Sequence, residues 1–455
     1  MTTICVGVDL GTSVVKATAL DVNSGERHQI ASAYGSRSAQ ASPSGWSSVL
    51  ERILTTLFDQ IESGVRVEAL SITSMVPNVA LRTESDEPIG TLLFCDDDAY
   101  ELELSLDKQL NSPKWANEVL SKVLLLSKGS TTPFRWYSTH NWLVRDLTGA
   151  FVVDTVTAGE CGSLIEPGHG WNGAILGDFG IDRSSLPEIM PPATFAGRVR
   201  ASYGVPQLRG VPVTVGSSDT VATALGAGLA NERDALLVYY GTFNSAARIT
   251  RTRDEVLFGL SPLNPFQWIL SVPRAGEQLS HLAGLITDGE NRTEQLALFD
   301  ALAASSEPGA RGIVFLHSDD LRQTTVSSRP RGSVRYLEPH HTRGDLARAL
   351  LEGFAYLLRW AIETESTTFS AALAAGGGAR SNLWRQIVSD VTGLTQVYRP
   401  SADRGVGSAL LAAAAIDKGL LDKLTSLIAV EDQACAPGDS SRYAAPYARY
   451  LETWI

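Results

Sequence analysis

Several residue types and patterns are scarce or missing in this chain. Its 455 residues include only four cysteines, Cys5, Cys95, Cys161 and Cys435, scattered without a Cys-x-x-Cys pair. This spacing argues against a zinc site or a disulfide framework and is typical of free thiols in a reducing compartment. No apolar run approaches the roughly 20 residues of a membrane span, and no basic segment followed by an apolar stretch opens the sequence. We therefore expect a cytoplasmic protein.

Positive charge is also in short supply. Lys and Arg number 38 against 50 Asp and Glu, which gives a formal net charge of −12. Nucleic acid and anionic membranes are therefore not expected as main partners, because both bind clustered cations. The net negative charge does not exclude a nucleotide that is bound through backbone amides or through a metal. The length exceeds the roughly 250–300 residues that one core usually reaches, so we expect two domains.

Two common nucleotide-binding patterns are absent as well. The sequence contains neither GxxxxGK[ST] nor an early GxGxxG between a strand and a helix. These absences argue against a P-loop enzyme and a dinucleotide dehydrogenase. A nucleotide, if bound, needs another architecture.

The apolar pattern predicts strands alternating with helices. "TICVGVDL" and "VVKATALD" predict two strands around a Gly-Thr-Ser turn, and "WSSVLERILTTLFDQIES" has helical spacing. A second stretch of the first type, "LLVYYGTFNSAARIT", aligns with the opening at its Gly-Thr turn. This repeat predicts two similarly built halves. The polar stretch "GLANERDA" places the boundary near residue 230, which gives domains at 1–230 and 231–455.

The opening turn has the residue types of an anion site. Gly11 lets backbone N–H groups point outward, Thr12 and Ser13 add hydroxyl donors, and Lys16 adds positive charge. Asp9 offers a hard oxygen ligand for Mg2+ beside bound phosphate. An ordinary hairpin with an exposed Asp fits the same short pattern, so spacing alone leaves both interpretations open.

Two later stretches also combine a strand end with a helix start. In "VGSSDTVATALGAG", Asp219 is placed to accept a proton from a hydroxyl that attacks a phosphoryl group. Asp is equally a favoured N-cap, as are Ser217 and Ser218. In "AAGGGARSNLWRQI", the glycines allow a flat ring or a phosphate to approach the backbone, although a plain turn needs the same residues.

Two polar clusters carry less functional information. Adjacent His340 and His341 rarely face one metal ion, so we interpret them as loop residues before a helix. Asp96, Asp97 and Asp98 are interpreted as a solvated acidic turn rather than a cation site.

Together these stretches resemble the FGGY family of carbohydrate kinases, which phosphorylate sugars and polyols and are related to glycerol kinase and xylulokinase. "VGVDLGTSVVKATALD", "VGSSDTVATALGAG", "YYGTFNSA", "HTRGDLARALLEGFAYLLR" and "AAGGGARSNLWRQIVSDVTG" occur in the family's order, from residue 4 to about 416. The resemblance implies an α/β protein with the two-domain, ribonuclease H-like fold of actin-like ATPases. It also implies mixed five-stranded sheets flanked by helices, with a cleft between the two domains.

The resemblance also implies ATP-dependent phosphorylation of a sugar hydroxyl with Mg2+. Asp9 would help to hold the metal, and Asp219 would be the general base. The residues implied to contact the nucleotide are Gly11, Thr12, Ser13, Lys16, Gly241, Thr242, Gly276, Ser280, Gly377, Gly378, Ala379 and Asn382.

The sugar-facing stretches depart from the family pattern. "SMVPN", with Met75, Val76 and Pro77, stands where xylulokinases have Gln-Met-His-Gly, and "FCDDDA", with Asp96, replaces Trp-x-Asp-x-Arg-Ala. The phosphoryl donor is therefore better predicted than the acceptor. We expect a pentulose such as xylulose first and a sugar acid such as gluconate as an alternative. A sensor without turnover and a filament-forming actin-like ATPase stay open as rivals, and a homodimer is one option for assembly.

Overall fold

The computed structural model describes most of the chain. The described residues are 2–11, 14–61, 64–93, 97–113, 116–128, 132–231, 234–241, 243–317, 332–369, 371–400 and 403–454. No helix within these ranges is both long and apolar enough to cross a membrane.

The strands of the described residues are numbered in chain order. They are β1 Thr3–Leu10, β2 Val14–Asp21, β3 Arg27–Ala33, β4 Arg66–Ser74, β5 Val79–Thr83, β6 Pro88–Leu92, β7 Phe134–Tyr137, β8 Val152–Asp154, β9 Ile165–Glu166, β10 Gly170–Trp171, β11 Glu188–Met190, β12 Phe195–Arg198, β13 Pro212–Thr214, β14 Ser217–Ser218, β15 Ala235–Tyr240, β16 Asn244–Ile249, β17 Phe266–Val272, β18 Val314–Leu316, β19 Ser333–Arg335, β20 Ala371–Ala375, β21 Thr395–Tyr398 and β22 Gln433–Cys435.

The α-helices are numbered in the same way. They are α1 Arg37–Gln40, α2 Pro43–Gln60, α3 Tyr100–Gln109, α4 Glu118–Ser127, α5 Thr139–Thr148, α6 Thr155–Gly159, α7 Gly173–Asp178, α8 Asp219–Ala227, α9 Arg253–Phe258, α10 Ala275–Ile286, α11 Arg292–Ala304, α12 Arg343–Thr364, α13 Asn382–Thr392, α14 Arg404–Ile416, α15 Lys418–Ala429 and α16 Ala444–Trp454.

The chain forms two compact units. Unit 1 contains Met1–Asn231, Arg251–Pro265 and Ser401–Val430, and unit 2 contains Glu232–Thr250, Phe266–Pro400 and Glu431–Ile455. The first change of unit lies one residue beyond the predicted boundary at 230. The units are nevertheless not the contiguous 1–230 and 231–455 expected from the sequence, because the chain returns twice to unit 1. The second return brings α14 onto the sheet of that unit.

Unit 1 is built on a mixed, seven-stranded sheet. Its order is β12-β13-β4-β1-β2-β3, with β14 also paired to β4. Strand β1 runs antiparallel to β2 and parallel to β4. Side chains alternate along β1: Val6, Val8 and Leu10 enter a core that includes residues of α2, while Gly7 and Asp9 lie on the opposite face.

Helix α14 approaches β1 closely because small residues line the contact. A Cβ placed on Gly7 would lie 2.1 Å from the backbone N of Ala409, and a Cβ on Gly407 would lie 1.8 Å from the carbonyl O of Ala222 in α8. The Ser408 hydroxyl donates to the carbonyl O of Val8 at 3.2 Å. The small-residue stretch "RGVGSALLAAAA" therefore packs by backbone against both β1 and α8.

The strand arrangement around β15 in unit 2 repeats the arrangement around β1 in unit 1. Its six-stranded sheet has the order β17-β16-β15-β20-β21-β22. Strand β15 is antiparallel to β16 and parallel to β20, as β1 is to β2 and β4. Helices α12 and α13 cover one face, where Tyr240, Phe354 and Trp384 pack edge to face.

The predicted repeat of strand, turn and strand is confirmed, but the sheets are larger than the five strands expected. The additional strands include short ones at or near the sheet edges, such as β14 with two residues and β22 with three. Alternation over two or three residues is too short to distinguish a strand from a loop in a sequence.

We predict that Gly7→Ala destabilises unit 1 by about 1–3 kcal/mol or more, because its methyl group would meet backbone that cannot rotate away. Urea unfolding measures the effect. Gly173→Ala is the matched control, since no heavy atom lies within 4 Å of the added Cβ. Equal free energies of unfolding for the two variants would contradict the close contact between β1 and α14.

Candidate active site

Asp9 lies near the end of β1, between two neighbouring strands. It faces Lys16 of β2 and Thr73 of β4 in the strand register. The residue is 2% exposed, and its Oδ1 accepts a hydrogen bond from the Thr73 hydroxyl at 3.0 Å. The pKa of Asp9 is raised to about 7, mainly by burial, with the charge of Arg404 opposing the rise and the charge of Asp219 adding to it.

Asp219 is the first residue of α8, at the position where β14 ends. Ser218 caps the helix by accepting a hydrogen bond from the Val221 N–H at 3.3 Å. The Asp219 Oδ2 lies 2.9 Å from Nη1 of Arg404, and the Asp219 side chain is 14% exposed. The carboxylate is therefore accessible and held by a cation from α14.

Arg404 contacts α8 a second time. Its Nε donates to the Thr223 hydroxyl at 3.1 Å, and that hydroxyl donates to the Asp219 carbonyl at 2.7 Å. The guanidinium is thereby anchored to one turn of α8 while it holds the carboxylate.

A fully buried polar network includes Ser217 of β14, the strand that directly precedes Asp219 in the chain. The Ser217 hydroxyl donates to Asp154 Oδ1 at 2.7 Å, and Asp154 Oδ2 lies 3.1 Å from His140 Nε2. The other ring nitrogen of His140 lies 2.9 Å from the Ser74 hydroxyl. Because side chains in such networks have fixed partners, β14 and the start of α8 have a defined position.

The opening turn differs in detail from the expected anion site. The Gly11 N–H donates to the carbonyl O of Val14 at 3.2 Å, so it points into the turn rather than outward. Its carbonyl accepts from the Tyr34 hydroxyl at 3.1 Å. The Lys16 ammonium lies 2.9 Å from Oδ2 of Asp403, and both side chains are partly exposed. The turn itself therefore uses the Gly11 N–H.

Four of the predicted positions lie outside the described residues. They are Thr12, Ser13, Asp96 and Thr242.

The predicted acceptor stretch follows β4. Met75 is buried, Val76 and Pro77 are partly exposed, and the bond between the latter two is cis. The ammonium of Lys122 in α4 donates to the Pro77 carbonyl at 3.0 Å and lies 2.5 Å from Oε1 of Glu118. Lys122 of α4 therefore helps to fix the backbone position of this stretch.

In unit 2, the glycine turn after β20 has one crowded and one open position. A Cβ on Gly378 would lie 2.7 Å from the Trp384 ring, while a Cβ on Gly377 would have no heavy atom within 4 Å. Ala379 is fully buried. Asn382 is exposed at the start of α13, and its side-chain oxygen accepts from the Arg385 guanidinium. A ligand can therefore approach at Gly377 without displacing protein atoms.

The other predicted positions of unit 2 lie at two further element ends. Gly241 follows β15 directly, and Gly276 is the second residue of α10. The Ser280 hydroxyl donates to the Gly276 carbonyl at 2.7 Å and accepts from the Arg292 guanidinium at 2.9 Å. Its hydrogen-bonding capacity is thus largely used within the unit.

Arg404, Thr73 and Glu160 lie near Asp9 or Asp219, and the motif analysis assigns none of them. Arg404 occurs in "SADRGVG", a stretch of the sequence that matches the kinase pattern but carries no predicted role. Glu160 follows α6; burial raises its pKa well above the usual range, and the charges of Asp154 and Asp219 add to this. No local signal marks Thr73 or Glu160, since each depends on residues distant in the sequence.

Asp9 fits one kind of metal site. Within the ranges given above, no group of three or more His, Cys, Asp or Glu side chains is arranged to hold a metal by itself. Mg2+ usually keeps several waters and binds one or two carboxylates together with substrate phosphates. A buried, electrostatically strained carboxylate such as Asp9 suits that partial coordination.

Two models of one protein family match this chain. The N-terminal domain model of the FGGY family of carbohydrate kinases matches residues 4–226, and the C-terminal domain model matches 266–416. Xylulose kinase of Escherichia coli strain K12 is 25% identical over 488 residues, covering 97% of this chain and 96% of the relative.

Solved structures support the fold. The structure of xylulose kinase from Rhodospirillum rubrum has a TM-score of 0.77 at 22% identity, with 99% of this chain and 98% of that one covered. Plasmodium falciparum glycerol kinase with ADP has a TM-score of 0.82 at 17% identity, with coverage of 100% and 98%. The predicted two-domain fold of the actin-like ATPases is confirmed.

We predict that, without divalent ions, Asp9 contributes a destabilisation of the folded chain that grows as pH rises from about 4 to about 7. In this window folded Asp9, with its pKa of about 7, keeps a proton that the unfolded chain has released, so rising pH favours unfolding. Asp9→Asn should remove this contribution. Urea unfolding at several pH values, in EDTA, measures it.

The control for that experiment is Asp178→Asn, at an exposed position at the end of α7. It should follow the wild-type pH profile. An Asp9→Asn profile parallel to that of the wild type would contradict the raised pKa.

Proposed function

The chain belongs to the FGGY family of carbohydrate kinases, and we propose that it transfers the γ-phosphate of ATP to a hydroxyl group of a small sugar or polyol. The full-length similarity to a xylulose kinase supports a pentulose such as xylulose as the first acceptor. ATP is the phosphate donor of this family.

The ion pair between Asp219 and Arg404 carries the proposal. A general base must be reachable by the acceptor hydroxyl and must keep a fixed orientation. Asp219 is partly exposed, and Arg404 holds it at 2.9 Å. We assign Asp219 as the base that takes the proton when the hydroxyl attacks the phosphoryl group.

Asp9 is the residue that we assign to Mg2+. When bound, the ion offsets the negative charge that develops on the phosphates. In the protein alone, Asp9 is buried near Asp219, and its nearby cation Arg404 is already engaged with Asp219. A divalent ion would supply the missing positive charge.

Each unit carries residues that we propose as nucleotide contacts. In unit 1, Gly11 and the turn that follows it would contact phosphate, together with Lys16 if its ion pair with Asp403 is shared. In unit 2, the turn at Gly377 and Gly378 offers open space beside backbone, which suits the flat base and ribose of adenosine.

We predict that Asp219→Asn lowers kcat for sugar phosphorylation by about 10²- to 10⁴-fold, the usual contribution of a general base. The amide keeps the shape of the side chain but cannot accept the proton. ADP release over a panel of sugars measures kcat, and isothermal titration should show an unchanged Kd for ATP.

Asp178→Asn again serves as the exposed control and should keep full activity. Turnover of Asp219→Asn within a few-fold of the wild type would exclude the base role.

We also predict that Gly377→Ala weakens ATP binding by about tenfold, because its methyl group would occupy the open space beside the backbone. The free energy of unfolding should stay unchanged, since no protein atom lies within 4 Å of that Cβ. Gly378→Ala, which meets the Trp384 ring, should instead destabilise the fold. Unchanged ATP affinity in stable Gly377→Ala would remove this turn from the nucleotide site.

One rival function is favoured by a specific observation. The acceptor stretch "SMVPN" departs from the kinase pattern, as a sensor that has lost turnover would. Both functions predict ATP binding, but only the kinase releases ADP in a sugar-dependent manner. A panel in which ATP binds and no sugar stimulates ADP release would favour the sensor.

A further inference from the structure

Arg385 of α13 is a buried cation without an acidic partner. Its side chain is 0% exposed, and across the portions of the chain that the structure describes it forms no ion pair. A buried charge costs free energy unless hydrogen bonds offset the loss of its hydration. The neighbours of Arg385 therefore have to supply neutral acceptors.

Two cross-strand partners hold the guanidinium group of Arg385. Tyr398 of β21 and Gln433 of β22 lie opposite each other in the strand register. The Arg385 Cζ lies 4.6 Å from the centre of the Tyr398 ring. The Arg385 Nη2 donates to Oε1 of Gln433 at 3.0 Å, and Nη1 donates to the Gln433 carbonyl at 3.4 Å. The sheet of unit 2 therefore sets the position of this guanidinium.

The same guanidinium holds Asn382, a predicted nucleotide contact. The two residues are three positions apart and lie on one face of α13. Nη2 of Arg385 donates to the side-chain oxygen of Asn382. Because arginine carries only N–H donors and no acceptor, the atom of the amide that faces it has to be the oxygen. Arg385 thereby fixes which end of the Asn382 amide is turned away from it.

The end that is turned away is the NH2 group. Asn382 is exposed and is the first residue of α13, shortly after the glycine turn at 376–378. Among the described residues, none accepts a hydrogen bond from its side-chain nitrogen. An unrestrained asparagine can rotate its amide and offer a ligand either a donor or an acceptor. With its oxygen held by Arg385, Asn382 offers a ligand only a donor.

A donor selects ligand groups that carry a lone pair. Adenine has such lone pairs on its ring nitrogens N1, N3 and N7, whereas its exocyclic amine is itself a donor. The NH2 group of Asn382 therefore suits a ring nitrogen and opposes the amine.

We propose that Arg385 is a positioning residue for nucleotide binding, which fixes Asn382 as a hydrogen-bond donor to a ring nitrogen of adenine. This inference rests on the proposed function, in which the glycine turn of unit 2 receives adenosine. It adds the direction of the hydrogen bond and the residue that sets this direction. Arg385 acts only through Asn382 and does not touch the nucleotide.

Deaza analogues of ADP test this hydrogen bond without turnover. In 1-deaza-, 3-deaza- and 7-deaza-ADP, one ring nitrogen is replaced by C–H and no longer accepts a hydrogen bond. Isothermal titration with Mg2+ should show that the wild type binds one analogue about tenfold more weakly than ADP. Asn382→Asp keeps an oxygen for Arg385 but has no donor. It should bind ADP about tenfold more weakly than the wild type does, and all three analogues as it binds ADP.

Variants of Arg385 separate positioning from folding. Arg385→Met frees the Asn382 amide to rotate, so the difference between ADP and the weakest analogue should fall below about threefold. The fold should survive, because Arg385 leaves no acid unpaired and the exposed Asn382 and Gln433 can bind water instead. Arg385→Lys keeps a donor toward Asn382 and should restore the difference. Arg442→Met, at an exposed position of unit 2, is the matched control and should bind as the wild type does.

Three outcomes would overturn the inference: wild-type protein that binds all three analogues as it binds ADP, an analogue difference that persists in Asn382→Asp, or an unchanged difference in folded Arg385→Met. Arg385→Leu provides the last measurement if Arg385→Met does not fold. Absence of ADP binding would overturn the proposed function as well. A protein that shows the analogue difference but no sugar-dependent ADP release would contradict the kinase function alone.

Discussion

The backbone contact between β1 and α14 is the constraint on which unit 1 depends. Gly7 admits the helix so closely that any side chain there would collide with it. Because α14 begins at Arg404, directly after Asp403, this packing brings both charges to the ends of β1, β2 and α8. The ion pairs of Arg404 with Asp219 and of Lys16 with Asp403 follow from that placement.

The acidic residues of unit 1 fall into two groups, which differ in burial and in their hydrogen-bond partners. Asp154 is completely buried and tied to His140 and Ser217, so it fixes backbone rather than meeting a ligand. Asp219 and Glu160 keep some exposure. Asp219, held by Arg404, needs little rearrangement when charge develops nearby, which is the property that a phosphoryl-transfer site requires. The arrangement therefore separates the structural acids from those available for chemistry.

Much of this organisation can be read from local sequence. Strands β1 and β2, helix α2 and the start of α8 carry clear periodicity or capping residues, and Asp219 is visible because an apolar strand ends just before it. The pairing of Arg404 with Asp219 cannot be predicted from the sequence, since the two residues meet only through the packing of distant elements. The burial of Arg385 is likewise a property of the folded chain, because it depends on the strands that pack against α13. The direction of the Gly11 N–H depends on turn geometry that glycine alone leaves free.

The late return of the chain to unit 1 has a consequence for its biosynthesis. A ribosome releases β1 near the beginning of translation, but α14 only after residue 403. Until then, one face of the first sheet lacks the helix that covers it, and nascent chains with exposed apolar surface are prone to misassociation. Unit 1, which begins first, is thus completed only after most of unit 2 has been synthesised. A nascent chain arrested before α14 would carry nearly the whole of its first sheet without the helix that encloses it.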